Sequence, residues 1–150
     1  MSRFLGNIEA KLDAKGRVFI PATFRRQLQA ADEEGLVLRM DVHQSCLVLY
    51  PQSVWWRMQD DLRSRLNRWH SRQQAVFRQF VSQAEVVTPD SNGRILIPRW
   101  LMERAGIRSD VLFVGMDDVI EIWAKGAMEQ QQLAPDDFGS ILDDMSIAPR

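Results

Sequence analysis

Polar and apolar residues alternate along residues 7–12, Asn7-Ile8-Glu9-Ala10-Lys11-Leu12, the pattern of a strand with one buried face. A β-branched and aromatic run follows at 17–20, so the pair predicts a hairpin closed at Asp13-Ala14-Lys15-Gly16, with Arg17 at its tip. After Pro21 the period lengthens: Phe24, Leu28 and Ala31 recur at helical spacing. The pattern returns to short periods at Leu36-Val37-Leu38-Arg39 and at Cys46-Leu47-Val48-Leu49-Tyr50-Pro51, two further strands.

The second half of the chain runs through the same sequence of patterns. Glu85-Val86-Val87 and 95–97 predict a second hairpin with Arg94 at its tip. Leu101, Met102 and Ala105 predict a helix that Gly106 ends, and 111–114 and 119–123 predict two strands. The correspondence is close at the turns. Asp13-Ala14-Lys15-Gly16-Arg17-Val18-Phe19-Ile20-Pro21 returns 77 positions later as Asp90-Ser91-Asn92-Gly93-Arg94-Ile95-Leu96-Ile97-Pro98. In each copy Asp accepts hydrogen bonds from the turn's own N–H groups, Gly supplies positive φ, and Pro stands where a helix start tolerates a missing N–H. Asp13, Gly16, Asp90 and Gly93 are therefore expected to shape the loops.

Between these halves, Val54, Met58, Leu62, Leu66 and Trp69 form one helical stripe, and Phe77, Phe80, Val81 and Ala84 form another after a break near His70-Ser71. They predict a helical hairpin. The division expected is a first module over 1–53, the connecting hairpin over 54–82, a second module over 83–133 and a flexible acidic tail over 134–150. With 150 residues in all, neither module would bury much core alone, so each is expected to need the other.

Charge changes the picture further. The net charge is only −1, yet residues 1–30 carry six basic and two acidic residues, while residues 79–150 carry six basic and twelve acidic ones. Local charge, not the total, makes a binding face. Sixteen of the nineteen basic residues are Arg, which suits forked contacts to phosphates and guanine edges. Copy one also has Lys15 where copy two has Asn92, and from this asymmetry Arg17 is expected to matter more to a nucleic-acid contact than Arg94. Arg65, Arg68 and Arg72 share a face of the helical hairpin; it reads as a solvated face or a subunit contact, with a second DNA-contacting surface as the alternative.

Other chemistry is sparse. His43 and His70 have no Cys or carboxylate cluster at ligand spacing, so no metal site and no cofactor are expected. Cys46 lies within an apolar strand and reads as a packed thiol; with one cysteine, a disulfide framework is excluded and a cytoplasmic setting is expected. Trp55, Trp56 and Trp69 read as core or interface residues. No apolar run reaches the length of a membrane span, no signal-peptide core is expected, and no nucleophile, base and orienter set points to an enzyme or a small-molecule substrate.

Leu12-Asp13-Ala14-Lys15-Gly16-Arg17 with Ile20-Pro21, then 46–51, then Asp90-Ser91-Asn92-Gly93-Arg94 with Ile122-Trp123, closely resemble the bacterial MraZ proteins, whose hallmark is a doubled Asp-x-x-x-Arg motif. The resemblance covers about residues 4–133. It implies an α+β fold of tandem AbrB-like, swapped-hairpin modules forming a double-split β-barrel, assembled into a ring of subunits. It also implies a nucleoid-associated transcriptional regulator that binds double-stranded DNA at promoter repeats upstream of the division and cell-wall gene cluster. By that similarity Lys15, Arg17, Asn92 and Arg94 are the expected DNA-contacting residues. An antitoxin-like or scaffold module that binds a protein partner, with the acidic tail wrapping it, is the alternative.

Overall fold

The computed structural model describes residues 2–33 and 35–145. Strand β1 (Asn7–Lys11) and β2 (Arg17–Phe19) lead to helix α1 (Ala22–Ala30), then β3 (Leu36–Met40) and β4 (Leu47–Pro51). Helices α2 (Gln52–Arg65) and α3 (Ser71–Ser82) follow. The second half repeats the order with β5 (Glu85–Val87), β6 (Arg94–Leu96), α4 (Arg99–Arg104), β7 (Asp110–Met116) and β8 (Val119–Ala124). A 3₁₀ turn at Met128–Gln131 and helix α5 (Pro135–Asp144) close the described chain. This is a mixed α and β fold on a mostly antiparallel sheet. Pro21, Pro51 and Pro98 each stand at the residue before a helix, with φ near −55° and ψ near 140°: their fixed φ turns an extended chain straight into a helical one.

Pairing departs from the local reading at one point. The sequence predicts that β1 pairs with β2 and β5 with β6, yet neither hairpin forms a ladder. Instead β1 pairs with β7 across five residues, and β5 pairs with β3, so each half lends its first strand to the other. The second strands meet each other: Arg17↔Leu96, Val18↔Ile95 and Phe19↔Arg94 make a separate two-stranded ribbon. With β4 and β8 paired at the centre, the large sheet runs β1-β7-β8-β4-β3-β5, which reads the same from either end once the halves are interchanged.

Burial explains the choice. Val18 and Ile95 point inward from the ribbon and are 1% exposed, joining Phe24, Leu38, Leu49, Leu101, Phe113 and Ile122 in one core. Each such side chain contributes about 1.5–3 kcal/mol when taken from water, more than a three-residue local ladder can supply. On the other face of the sheet Val37, Val48, Tyr50 and Trp55 form a smaller cluster, with Phe80 of α3 packed on it and stacked on Trp55 at 5.0 Å.

The helical hairpin forms, although α2 ends at Arg65, so Leu66 and Trp69 leave the stripe and Trp69 is 95% exposed. Asn67 and His70 bond to nearby backbone there: Asn67 Oδ1 accepts the Trp69 amide and His70 Nδ1 accepts the Gln73 amide at the start of α3. Such local bonds compete with helical ones. The acidic segment expected to be flexible carries helix α5, exposed throughout its length apart from partly covered positions; residues 146–150 lie outside the described residues.

Candidate nucleic-acid interface

Two superposable loops flank the ribbon. In the first, the Asp13 amide donates to the Arg17 carbonyl at 2.8 Å and the Gly16 amide returns to the Asp13 carbonyl at 3.1 Å. Asp13 Oδ1 accepts the Lys15 and Arg17 amides at 2.9 Å each, and Oδ2 accepts Arg17 Nε at 2.8 Å. The second loop repeats every bond: Asp90 Oδ1 accepts the Asn92 and Arg94 amides at 2.9 and 3.0 Å, and Oδ2 accepts Arg94 Nε at 3.0 Å. Gly16 and Gly93 have φ of 85° and 84°, the left-handed region in which a Cβ would be strained. These bonds and angles place Asp13, Gly16, Asp90 and Gly93 within the two turns.

The donors acidify the loop carboxylates. The Arg17 backbone N–H holds Asp13 below the usual carboxylate range against some desolvation, helped by the Arg17 guanidinium and the Lys15 amide. Asp90 is lowered likewise, chiefly by the Arg94 backbone N–H.

Pairing of the second strands brings the two loops together. Ile20 N donates to the Gly93 carbonyl at 3.0 Å and Ile97 N to the Gly16 carbonyl at 2.9 Å, so each loop is stitched to the strand leaving the other. Arg94 Nη1 lies 4.0 Å from Asp13 Oδ2, a bridge between the copies. Strand alternation then puts Arg17 and Arg94 on one outward face as diagonal neighbours, a spacing of about 7–8 Å. Phe19 and Leu96 share that face, 54% and 55% exposed, with the Arg94 guanidinium 5.7 Å from the Phe19 ring centre. Lys15 and Asn92 are exposed on the loops beside it. The two motif arginines are thus gathered into one surface with their Nε atoms tied down. Phe19 and Leu96 were not singled out from sequence, though alternation about the buried Val18 and Ile95 carries the signal.

The charge surroundings correct the sequence estimate. Loop 1 faces Arg99, Glu103 and Arg108, from α4 and the turn after it, across a cleft of about 700 Å³. Loop 2 faces Arg25, Arg26 and Glu33, from α1 and the turn after it, across a cleft of about 440 Å³. Each loop borrows its neighbours from the opposite half, so two arginines and one glutamate adjoin both. Copy two does not sit in an acidic environment, as the segment count along the chain suggested.

The other candidates lie elsewhere. Cys46 is fully buried and burial pushes its thiol up, His70 caps α3, and Arg65 pairs with Asp61 at 3.1 Å on α2. Among the described residues no group of three or more His, Cys, Asp or Glu side chains is arranged to hold a metal ion, and no helix is long and apolar enough to cross a membrane.

Comparison with known proteins finds the same doubling. The family described as "MraZ protein, putative antitoxin-like" matches residues 3–79 and again residues 80–138. The chain belongs to the MraZ family. Proteins named Transcriptional regulator MraZ from Bacteroides thetaiotaomicron and Phocaeicola vulgatus are 61% and 57% identical to it, over 97% and 95% of this chain and 93% of each relative. A more distant MraZ from Anaeromyxobacter sp. (strain Fw109-5) is 38% identical over 85% of this chain and 88% of its own. Each MraZ segment of this chain contributes one of the paired loops described above.

Proposed function

We propose that this chain is a transcriptional regulator, not an enzyme, that binds double-stranded DNA through the ribbon and its two loops. The observation that carries the reading is the outward face on which Arg17 and Arg94 stand together, held by Asp13 and Asp90 and flanked by Lys15 and Asn92. A two-stranded ribbon fits the major groove, arginine forks suit guanine edges and phosphates, and Phe19 and Leu96 offer apolar contact to a thymine methyl. On this reading the exchanged halves are tandem AbrB-like, swapped-hairpin modules of a double-split barrel, with the boundaries stated from sequence. The sites are promoter repeats upstream of the division and cell-wall gene cluster, and the protein acts in the cytoplasm on the nucleoid.

A handful of charge contacts per subunit gives weak, salt-sensitive binding. Useful affinity then comes from a ring of subunits engaging repeats about one helical turn apart, each raising the effective concentration of the next. Footprinting on the chain's own upstream region at fixed salt is expected to give a ladder of protected repeats, and Arg17→Ala and Arg94→Ala are each expected to weaken it while the protein still unfolds in one cooperative thermal transition. No protection at low salt would sink the reading.

The protein-binding alternative has one observation in its favour. Helix α5 carries Asp136, Asp137, Asp143 and Asp144 beside exposed Phe138 and Ile141, the makings of an acidic amphipathic contact. Deleting residues 134–150 discriminates: loss of a protein partner with DNA binding intact would favour it.

A further inference from the structure

The two loops and the helices beside them differ at several equivalent positions, and two of these pairs bear on charge at the loops. Where loop 1 has Lys15, loop 2 has Asn92; where α4 sets Met102 against loop 1, α1 sets Arg25 against loop 2, again 77 positions apart. The contacts are equivalent too. A Cβ built on Gly16 would lie 3.4 Å from Met102 Sδ, and one built on Gly93 would collide with the Arg25 guanidinium and its stem. Arg25 is half-buried over the Gly93 backbone, and its Nη1 donates to the Asn92 carbonyl at 3.3 Å. One of five guanidinium donors is thereby committed to the loop. The remaining donors belong to a fork anchored beside the exposed Asn92, in a cleft that Arg26 also lines.

We propose that Arg25 is a phosphate-binding residue of the second loop, replacing across the exchanged halves the cation that Asn92 does not supply. The inference rests on the DNA-binding reading. It gives the second tip a cation anchored on its loop, Arg25 beside Arg94, where the first has Lys15 beside Arg17; with Arg99 and Arg108 also lining the first cleft and Arg26 the second, the difference in weight expected between Arg17 and Arg94 narrows. A guanidinium suits this place better than an ammonium would, because one edge can hold the Asn92 carbonyl while the other takes a phosphate oxygen. The contact carries no base information, so it adds affinity alike to every sequence.

Arg25→Met installs the side chain that the equivalent position already accommodates, and Met102→Arg is the reciprocal graft. Both, with Arg25→Lys, are titrated by mobility shift on a duplex of the chain's own upstream region between 50 and 200 mM salt, with thermal melting in parallel. Each phosphate contact contributes about 0.9 to the slope of log affinity against log salt. Arg25→Met is expected to make that slope shallower by about 0.9 per bound subunit at unchanged melting temperature. Arg25→Lys should retain most of the slope, and Met102→Arg should steepen it by a similar amount. Slopes that stay at the wild-type value in both Arg25→Met and Met102→Arg, or affinity lost only in step with melting temperature, would overturn the inference while leaving the DNA reading standing. A wild-type protein that shifts no duplex at low salt would remove both.

Discussion

Asp13 commits both carboxylate oxygens to its own loop, Oδ1 to two backbone amides and Oδ2 to the Arg17 guanidinium, and Asp90 does the same in its copy. The arginine is thus presented by an acid of opposite charge, which fixes Nε and leaves the far edge of the fork to a ligand. Both acids are lowered below their ordinary 3.8 by the amides that they accept. A depressed pKa adds stability that is fully present above the unfolded value and is lost as pH falls through the folded one. Wild type and the double variant Asp13→Asn, Asp90→Asn are therefore expected to differ in melting temperature at pH 6, and that difference should shrink progressively below about pH 4. A difference that stays constant down to pH 3 would mean that the carboxylate charge contributes nothing to the loops. These roles were legible from residue types alone, since the turn's chemistry is confined to five consecutive residues.

At the scale of elements, Arg39 does what its place in an apolar strand does not announce. It is 6% exposed, donates from Nε to the Phe80 carbonyl at 2.9 Å and from Nη1 to the Met40 carbonyl at 2.6 Å, and lies 4.8 Å from the Phe80 ring centre. Phe80 is in the last turn of α3, where carbonyls lack partners within the helix, so Arg39 caps that helix from the sheet. Arg39→Met keeps the bulk and removes the donors, and a part-buried carbonyl left unpaired is expensive. The variant is expected to lose about 2–4 kcal/mol in urea denaturation followed by circular dichroism; a loss below about 0.5 kcal/mol would refute the cap. Hydrophobic period located nearly every strand and helix to within a few residues because most of them turn an apolar face toward one of the two clusters. It could not tell which strands pair, because β1 and β2 satisfy the same pattern whether they pair with each other or with β7 and β6. Nor could it stop α2 at Arg65, where Asn67 and His70 divert backbone groups from the helix.

For the whole molecule, the exchange leaves little that belongs to one half. Strand β1 completes the second half's sheet, β5 the first's, and the ribbon takes one strand from each. Fragments 1–68 and 69–150, cut in the turn between α2 and α3, are each expected to lack a cooperative thermal transition and to regain one when mixed. A sharp transition in either fragment alone would show that a half can fold independently. The candidate site was likewise half legible: its arginines came from the motif, while Arg25, Phe19 and Leu96 needed the fold to bring them to the loops. The exchange also bears on how such a sequence can change over generations. Repeated halves are ordinarily at liberty to diverge, each adapting its own loop to its own helix. Here the second loop packs against α1, from the first half of the chain, and the first loop against α4, from the second. A chimera that joins the first half of one relative to the second half of another sets each loop against a helix from the other parent, so a single crossover replaces both loop–helix contacts at once.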